Sequence, residues 1–129
     1  MIIGIGTDIV TVARIAAAFE RRGDALAERL LHPDELACWQ QKNKPVAWLA
    51  KRFAAKEALL KALGTGLAQG ISWQDMAVLP NELGRPTVIW FAQAEQYLQQ
   101  LTGGAAARTH LSLSDEEDYV VAFAVIEAI

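Results

Sequence analysis

Apolar residues run almost unbroken through the first ten positions, Ile2, Ile3, Ile5, Ile9 and Val10, with Gly4 and Gly6 between them. A β-branched run of this kind predicts a buried strand over Ile2–Val10. After Thr11, which can cap a helix, the period changes: Val12, Ile15 and Phe19 form an apolar stripe, with Arg14 and Arg21 away from it. A second helix is predicted over Asp24–Leu31. Pro33 suits the first turn of a third, where Asp34 and Glu35 meet the positive end of the helix dipole.

The stretch Pro45–Leu63 carries the strongest helical signal, rich in alanine, leucine, lysine and glutamate and free of glycine until Gly64, which suits a C-cap. Met76–Leu79 and Thr87–Phe91 read as strands around a turn at Asn81-Glu82-Leu83-Gly84, with Gly84 free to take a positive φ. Ala92–Leu101 reads as a short amphipathic helix broken by Thr102-Gly103-Gly104. Thr109–Ser114 and Tyr119–Ile126 then read as a closing hairpin, with Asp115-Glu116-Glu117-Asp118 as its turn. The last strand is apolar on both faces and belongs in the centre of a sheet. Strand, helices, then mostly strands predicts an α+β fold: one domain over residues 1–129, with a mostly antiparallel sheet packed against the long central helix.

Composition narrows the function. Of 129 residues 53% are hydrophobic and 21% charged, which is globular rather than disordered. A formal net charge of -3 argues against a general nucleic-acid binder. Cys38 is the only cysteine, so no disulfide forms within the chain and no cysteine-rich metal site can be built. With no basic leader before the short apolar start and no run of membrane-spanning length, the expectation is a soluble, cytoplasmic protein.

The candidate chemistry centres on Glu57. Helical spacing puts it near the azimuth of Leu49, Phe53, Leu60 and Gly64, on the stripe expected to face the core. A carboxylate there needs a cation or a cleft. Lys61, one turn on, is the simplest partner, and the plain reading is a helix salt bridge. The competing reading is a metal ligand with Lys61 aimed at an anion beside it. Asp8 shares a strand face with Gly4 and Gly6, glycines that would let another backbone or a ligand come close. It reads either as a turn residue or as the second of two carboxylates that, with phosphate oxygens and water, hold Mg²⁺. Gly64-Thr65-Gly66 follows a helix rather than opening one, so spacing alone makes it a cap and loop. Lys51, Arg52, Lys56 and Lys61 form either a solvated basic face or a polyphosphate site. Arg14, Arg21, Arg22 and Arg29 make the N-terminal helices basic within an acidic chain, which could steer an acidic partner. His32 and His110 are isolated, the four tryptophans read as packing, and no serine lies in a nucleophile elbow.

Two segments carry more information together than apart. Gly4-Ile5-Gly6-Thr7-Asp8-Ile9-Val10 with Arg14-Ile15, and Arg52-Phe53-Ala54-Ala55-Lys56-Glu57-Ala58 continuing through Lys61-Ala62 to Gly64-Thr65-Gly66, resemble the small holo-acyl-carrier-protein synthases. Gly84-Arg85-Pro86 and the stretch from His110 to Glu127 match in order, so the resemblance spans nearly the whole chain. It implies the 4'-phosphopantetheinyl transferase fold and Mg²⁺-dependent transfer of phosphopantetheine from coenzyme A to a serine of apo acyl carrier protein. It implies Asp8 and Glu57 as Mg²⁺ ligands, and Arg52, Lys61 and the Gly66 loop as coenzyme A contacts. Arg14, with Arg21 and Arg22 further along the helix, would grip the carrier, and a homotrimer would hold coenzyme A between subunits. Many members carry a histidine after the residue matching Ser114, where this chain has Asp115. A carboxylate cannot replace that cationic contact to the nucleotide.

In the implied mechanism Mg²⁺ and Lys61 stabilise the departing adenosine 3',5'-bisphosphate, and Glu57 or a water on the metal takes the serine proton. A non-catalytic module that binds acidic proteins would not need Asp8 or Glu57. A Mg²⁺ pyrophosphatase would act without a carrier.

Overall fold

The computed structural model describes all 129 residues, Met1–Ile129. The element running through its centre is the helix Val46–Leu63, the fourth of five and hereafter α4. Pro45 precedes it as N-cap, and Gly64 ends it at φ 82°, its N–H reaching back to the carbonyls of Leu60 and Lys61. Ala54, Ala58 and Ala62 recur every fourth residue and are buried, so one side of α4 is almost smooth.

Strand β1 (Ile2–Thr11) lies along this smooth side. A Cβ on Gly4 would stand 1.8 Å from the Ala62 carbonyl oxygen, and one on Gly6 2.0 Å from that of Ala58. The glycines are therefore there for a backbone, that of α4. β5 (Tyr119–Ala128) pairs antiparallel with β1 on one edge and with β4 (Ala107–Asp115) on the other. The order β1-β5-β4 puts the doubly apolar strand in the centre. Opposite Gly4, Gly6 and Asp8 on the helix-facing side stand Ile126, Ala124 and Ala122, all buried. The other side carries Ile5, Ile9, Val121 and Phe123, which remain 38–62% exposed.

Three short helices cover one flank: α1 (Val12–Arg22), α2 (Asp24–Leu30) and α3 (Pro33–Gln41). Thr11 caps α1 as its sequence position predicts, its Oγ1 accepting from the Arg14 N–H at 3.2 Å. A 3-10 turn at Trp73–Asp75 leads into a separate hairpin, β2 (Met76–Pro80) and β3 (Pro86–Trp90), and α5 (Ala92–Leu101) follows. In the hairpin turn the Asn81 carboxamide oxygen accepts from Leu83 and Arg85, and Gly84 takes φ 82°. Two details differ from the sequence expectation. The sheet is divided into three strands and this two-stranded hairpin. Asp115 is the last residue of β4, because it still pairs with Val120, which shortens the acidic turn to Glu116–Asp118. One apolar core joins both layers, from Val10 and Ile15 through Leu49, Leu59 and Met76 to Leu98 and Ile126. No helix is long and apolar enough to cross a membrane.

The contact between β1 and α4 generates a stability prediction. Gly6→Ala forces a methyl into the backbone of α4, which cannot swing aside as a side chain would. A loss of about 1–3 kcal/mol is expected, the usual cost of overpacking. Urea denaturation checks it, and because Gly6 lies outside the positive-φ region the loss reports the clash rather than backbone strain.

Candidate active site

Asp8 is the next residue after Gly4 and Gly6 on the helix-facing side of β1, so their close approach brings its carboxylate to α4. Lys61 reaches across from α4: its Nζ donates to Asp8 Oδ1 at 3.2 Å and to the Thr7 carbonyl at 2.9 Å. The helix-spaced pair expected from the sequence, Glu57 with Lys61, does not form, and Glu57 makes no salt bridge. A neighbouring strand offers Lys61 both a carboxylate and a carbonyl, and that outweighs one partner a turn away. Glu57 is half-buried at the edge of α4 and faces α1 rather than the core. Burial pushes its carboxyl pKa up, the charge of Asp8 pushes the same way, and Lys61 and Arg14 only partly oppose them.

This arrangement fits a hard divalent cation. The charge of Asp8 raises the cost of ionising Glu57, Glu57 has no cationic partner, and the donors are all oxygen. No third acid, histidine or cysteine joins them. Two carboxylates with the remaining positions left to substrate and water is a Mg²⁺ pattern. Gly66 lies in the exposed loop just beyond the Lys61 end of α4, at φ 57° with open space around its Cα.

Glu57 also opens onto a groove of about 390 Å³ between α1, α2 and α4. Arg14, Arg22 and Arg29 line it above a floor of Leu26, Leu30, Phe53 and Trp73. The Arg14 guanidinium stands over the Phe53 ring at 5.4 Å, and Phe53 packs on Trp73 at 5.5 Å. Three arginines around one carboxylate make an acid-seeking surface that ends at Glu57. Arg21 is exposed on α1 but does not line the groove; Arg29 takes that place instead.

Arg52 lies elsewhere. It is nine residues before Lys61, about 13.5 Å along α4 and on the opposite face. Its Nε donates to the Val78 carbonyl at 3.1 Å and its guanidinium lies 3.8 Å over the Trp48 ring. Burial lowers its pKa, against the pull of Glu35 and Cys38. It lines a second cleft, of about 300 Å³, with Lys42, Trp48, Lys51 and Asp115, where Lys51 pairs with Asp115 at 3.5 Å. One copy of the chain therefore separates two residues that the resemblance assigns to one ligand.

The sequence reading missed a buried ion pair. Lys56, read as part of a solvated or phosphate-binding face, has no solvent exposure and pairs with Glu35, which is equally buried. Its Nζ also donates to the carbonyls of Leu30 at 2.7 Å and Trp73 at 2.9 Å. Glu35 in turn accepts from His32 N–H at 2.9 Å, closing a capping box at the start of α3, and from Val78 N–H at 2.8 Å. Burial lowers the Lys56 pKa, while the charge of Glu35 and its hydrogen bond hold it up. The signal was present in the helical spacing. Lys56 lies seven residues after Leu49, four before Leu60 and seven before Leu63, all buried.

A model of the 4'-phosphopantetheinyl transferase superfamily matches residues 4–124. A holo-[acyl-carrier-protein] synthase of Azoarcus sp. is 50% identical over 127 residues, covering 98% of each chain. The crystal structure of a holo-[acyl-carrier-protein] synthase from Neisseria meningitidis superposes with a TM-score of 0.89 at 45% identity, over 98% of this chain and 99% of that one. One from Bacillus anthracis, solved in complex with coenzyme A (3',5'-ADP), superposes at 0.79 and 30% identity, over 100% of this chain and 99% of that one. Likeness of this extent covers the strand that carries Asp8, the helix that carries Glu57 and Lys61, and the closing hairpin alike, and the chain belongs to the 4'-phosphopantetheinyl transferase superfamily, in its family of holo-[acyl-carrier-protein] synthases.

Proposed function

We propose that this chain transfers the 4'-phosphopantetheine arm of coenzyme A to a serine hydroxyl of an apo acyl carrier protein, releasing adenosine 3',5'-bisphosphate. The observation that carries this reading is the meeting of an arginine-lined groove with the Asp8, Glu57 and Lys61 cluster, within a chain of this family. The serine oxygen forms a bond to the β-phosphorus of coenzyme A, and the bond from that phosphorus to the oxygen of the nucleotide's phosphate breaks. Asp8 and Glu57 would hold Mg²⁺, which when bound neutralises the pyrophosphate and the charge developing on the leaving group. Glu57, pushed up by burial and opening on the groove, is placed to take the serine proton. Lys61 adds positive charge beside the leaving phosphate. The Gly66 loop lies next to it and can admit a phosphate closely.

Arg52 belongs to a different part of the same site if two copies build it. The proposed assembly is a homotrimer in which the Lys61 face of one α4 and the Arg52 face of another close on one coenzyme A. The exposed apolar sheet face, with Ile5, Ile9, Val121 and Phe123, supports an association of this kind. Lys51, held by Asp115, supplies the cation that a histidine gives elsewhere in the family. The cytoplasm is the proposed location, in keeping with a single, unpaired cysteine.

Incubation with coenzyme A, Mg²⁺ and an apo carrier protein, read by intact mass, tests the function. Addition of one phosphopantetheine per carrier is expected. Hydrolysis without loading would favour a pyrophosphatase, and neither reaction a non-catalytic module. Light scattering in the same buffer tests the assembly, and a fully active monomer would contradict the shared site.

The metal assignment predicts a stability signature that needs no turnover. The folded-state pKa of Glu57 is raised, so its contribution is fully present below the ordinary value of 4.5 and is lost as pH rises through the raised value. In a chelator, wild type should therefore fall in Tm relative to Glu57→Gln as pH rises from 4 to 8. Saturating Mg²⁺ should raise the wild-type Tm and leave Glu57→Gln unmoved. Equal responses of the two proteins to Mg²⁺ would remove Glu57 from the metal site.

The groove predicts a separate kinetic effect. Arg14→Glu should raise KM for the carrier protein about tenfold or more, as expected for reversing a charge that pairs with an acidic partner. The KM for coenzyme A should stay unchanged. Added salt should reproduce part of the effect, since exposed charges are screened within about 10 Å.

A further inference from the structure

Lys56 is the neighbour of Glu57 in sequence, yet no substrate can touch it, because it has no solvent exposure. Its ammonium has three partners for three N–H bonds: Glu35 and the carbonyls of Leu30 and Trp73. Leu30 ends α2, where a helix leaves carbonyls without intrahelical partners. Trp73 opens the 3-10 turn. These two residues belong to the floor of the arginine-lined groove. Arg29, the residue before Leu30, is one of the three arginines at its rim. Trp73 also supports Phe53, over which the Arg14 guanidinium stands. Through two hydrogen bonds, then, Lys56 ties the backbones of Leu30 and Trp73, and with them the base of Arg29, to the helix that carries Glu57.

Stability alone does not explain a charge at this position. A buried ion pair can generally be replaced by apolar residues of similar volume with little loss. What an apolar residue cannot do is hold two carbonyls from separate segments at a fixed distance from α4. We propose that Lys56 is a positioning residue for the carrier protein: by gripping the Leu30 and Trp73 carbonyls it fixes the groove floor, and so sets affinity for the carrier without contacting either substrate. This role rests on the transfer reading above.

The test is the double variant Lys56→Met/Glu35→Gln, which removes both charges and leaves neither one buried alone. Steady-state kinetics with varied apo carrier and varied coenzyme A are measured beside calorimetric binding of the carrier. A rise of about tenfold in carrier KM and Kd is expected, with coenzyme A KM and kcat at saturating carrier within about threefold of wild type. Glu35→Gln alone leaves the Lys56 charge buried without its partner and should lower Tm, yet it keeps Lys56 on its two carbonyls, so carrier KM should stay close to wild type, a separation of stability from affinity that a merely structural role would not give. A folded double variant with unchanged carrier KM overturns the proposal, and so does an equal rise in both KM values. If that variant does not fold, Lys56→Gln/Glu35→Gln takes its place, with a neutral, shorter amide that holds the two carbonyls less tightly: a rise in carrier KM of about threefold or more supports the role and an unchanged one overturns it. A wild-type chain that loads no carrier in the same assay removes the transfer reading, and this role with it.

Discussion

The structure depends on how closely β1 lies against α4. Two side chains that consist of a hydrogen atom let carbonyl oxygens of a helix occupy the space where a Cβ would be. The side chains that cluster where β1 meets α4 take their places from that contact. It brings Asp8 within reach of Lys61 and charges the surroundings of Glu57. It also makes the helix-facing layer thin, so that Ala122 and Ala124 on β5 complete it without bulk. The lost apolar volume is made up elsewhere, by Leu49, Leu59, Leu60 and Leu63 on the other sides of α4.

Local patterns made much of this legible. A β-branched run, an uninterrupted helical composition ended by glycine, and a strand apolar on both faces identify β1, α4 and the central β5 with boundaries shifted by a residue or two. The cap at Thr11 was equally readable, since it needs only a neighbour three residues on. Partnerships between distant segments were not readable. Spacing offered Lys61 a carboxylate one turn away, but the fold offered it Asp8. Nothing near Lys56 in sequence announces Glu35, so spacing leaves it on a solvated or phosphate-binding face. Helical phase did mark Lys56 as lying among buried leucines, and a polar residue at such a position implies a buried partner. Arg52 shows the limit of a motif read as a line: residues in one signature occupy opposite faces of one helix.

Electrostatics tie these parts together without much redundancy. Arg14 lines the groove and yet eases the ionisation of Glu57, so the groove and the carboxylate at its end share a charge. Lys61 pairs with Asp8 across the contact between β1 and α4. In the proposed reaction the ammonium would move toward phosphate as the carboxylate turns toward a metal, which would link the arrival of the two ligands through a single ion pair.

The two-faced character of α4 has a genetic consequence. Where one cleft takes its Lys61 side from one copy and its Arg52 side from the next, a chain damaged on either face still carries an intact other face. Two such chains, each inactive as a pure population, would assemble mixed rings in which some clefts draw both sound faces. Alleles on opposite sides of this helix should complement one another in the same cell, whereas alleles on the same side should not.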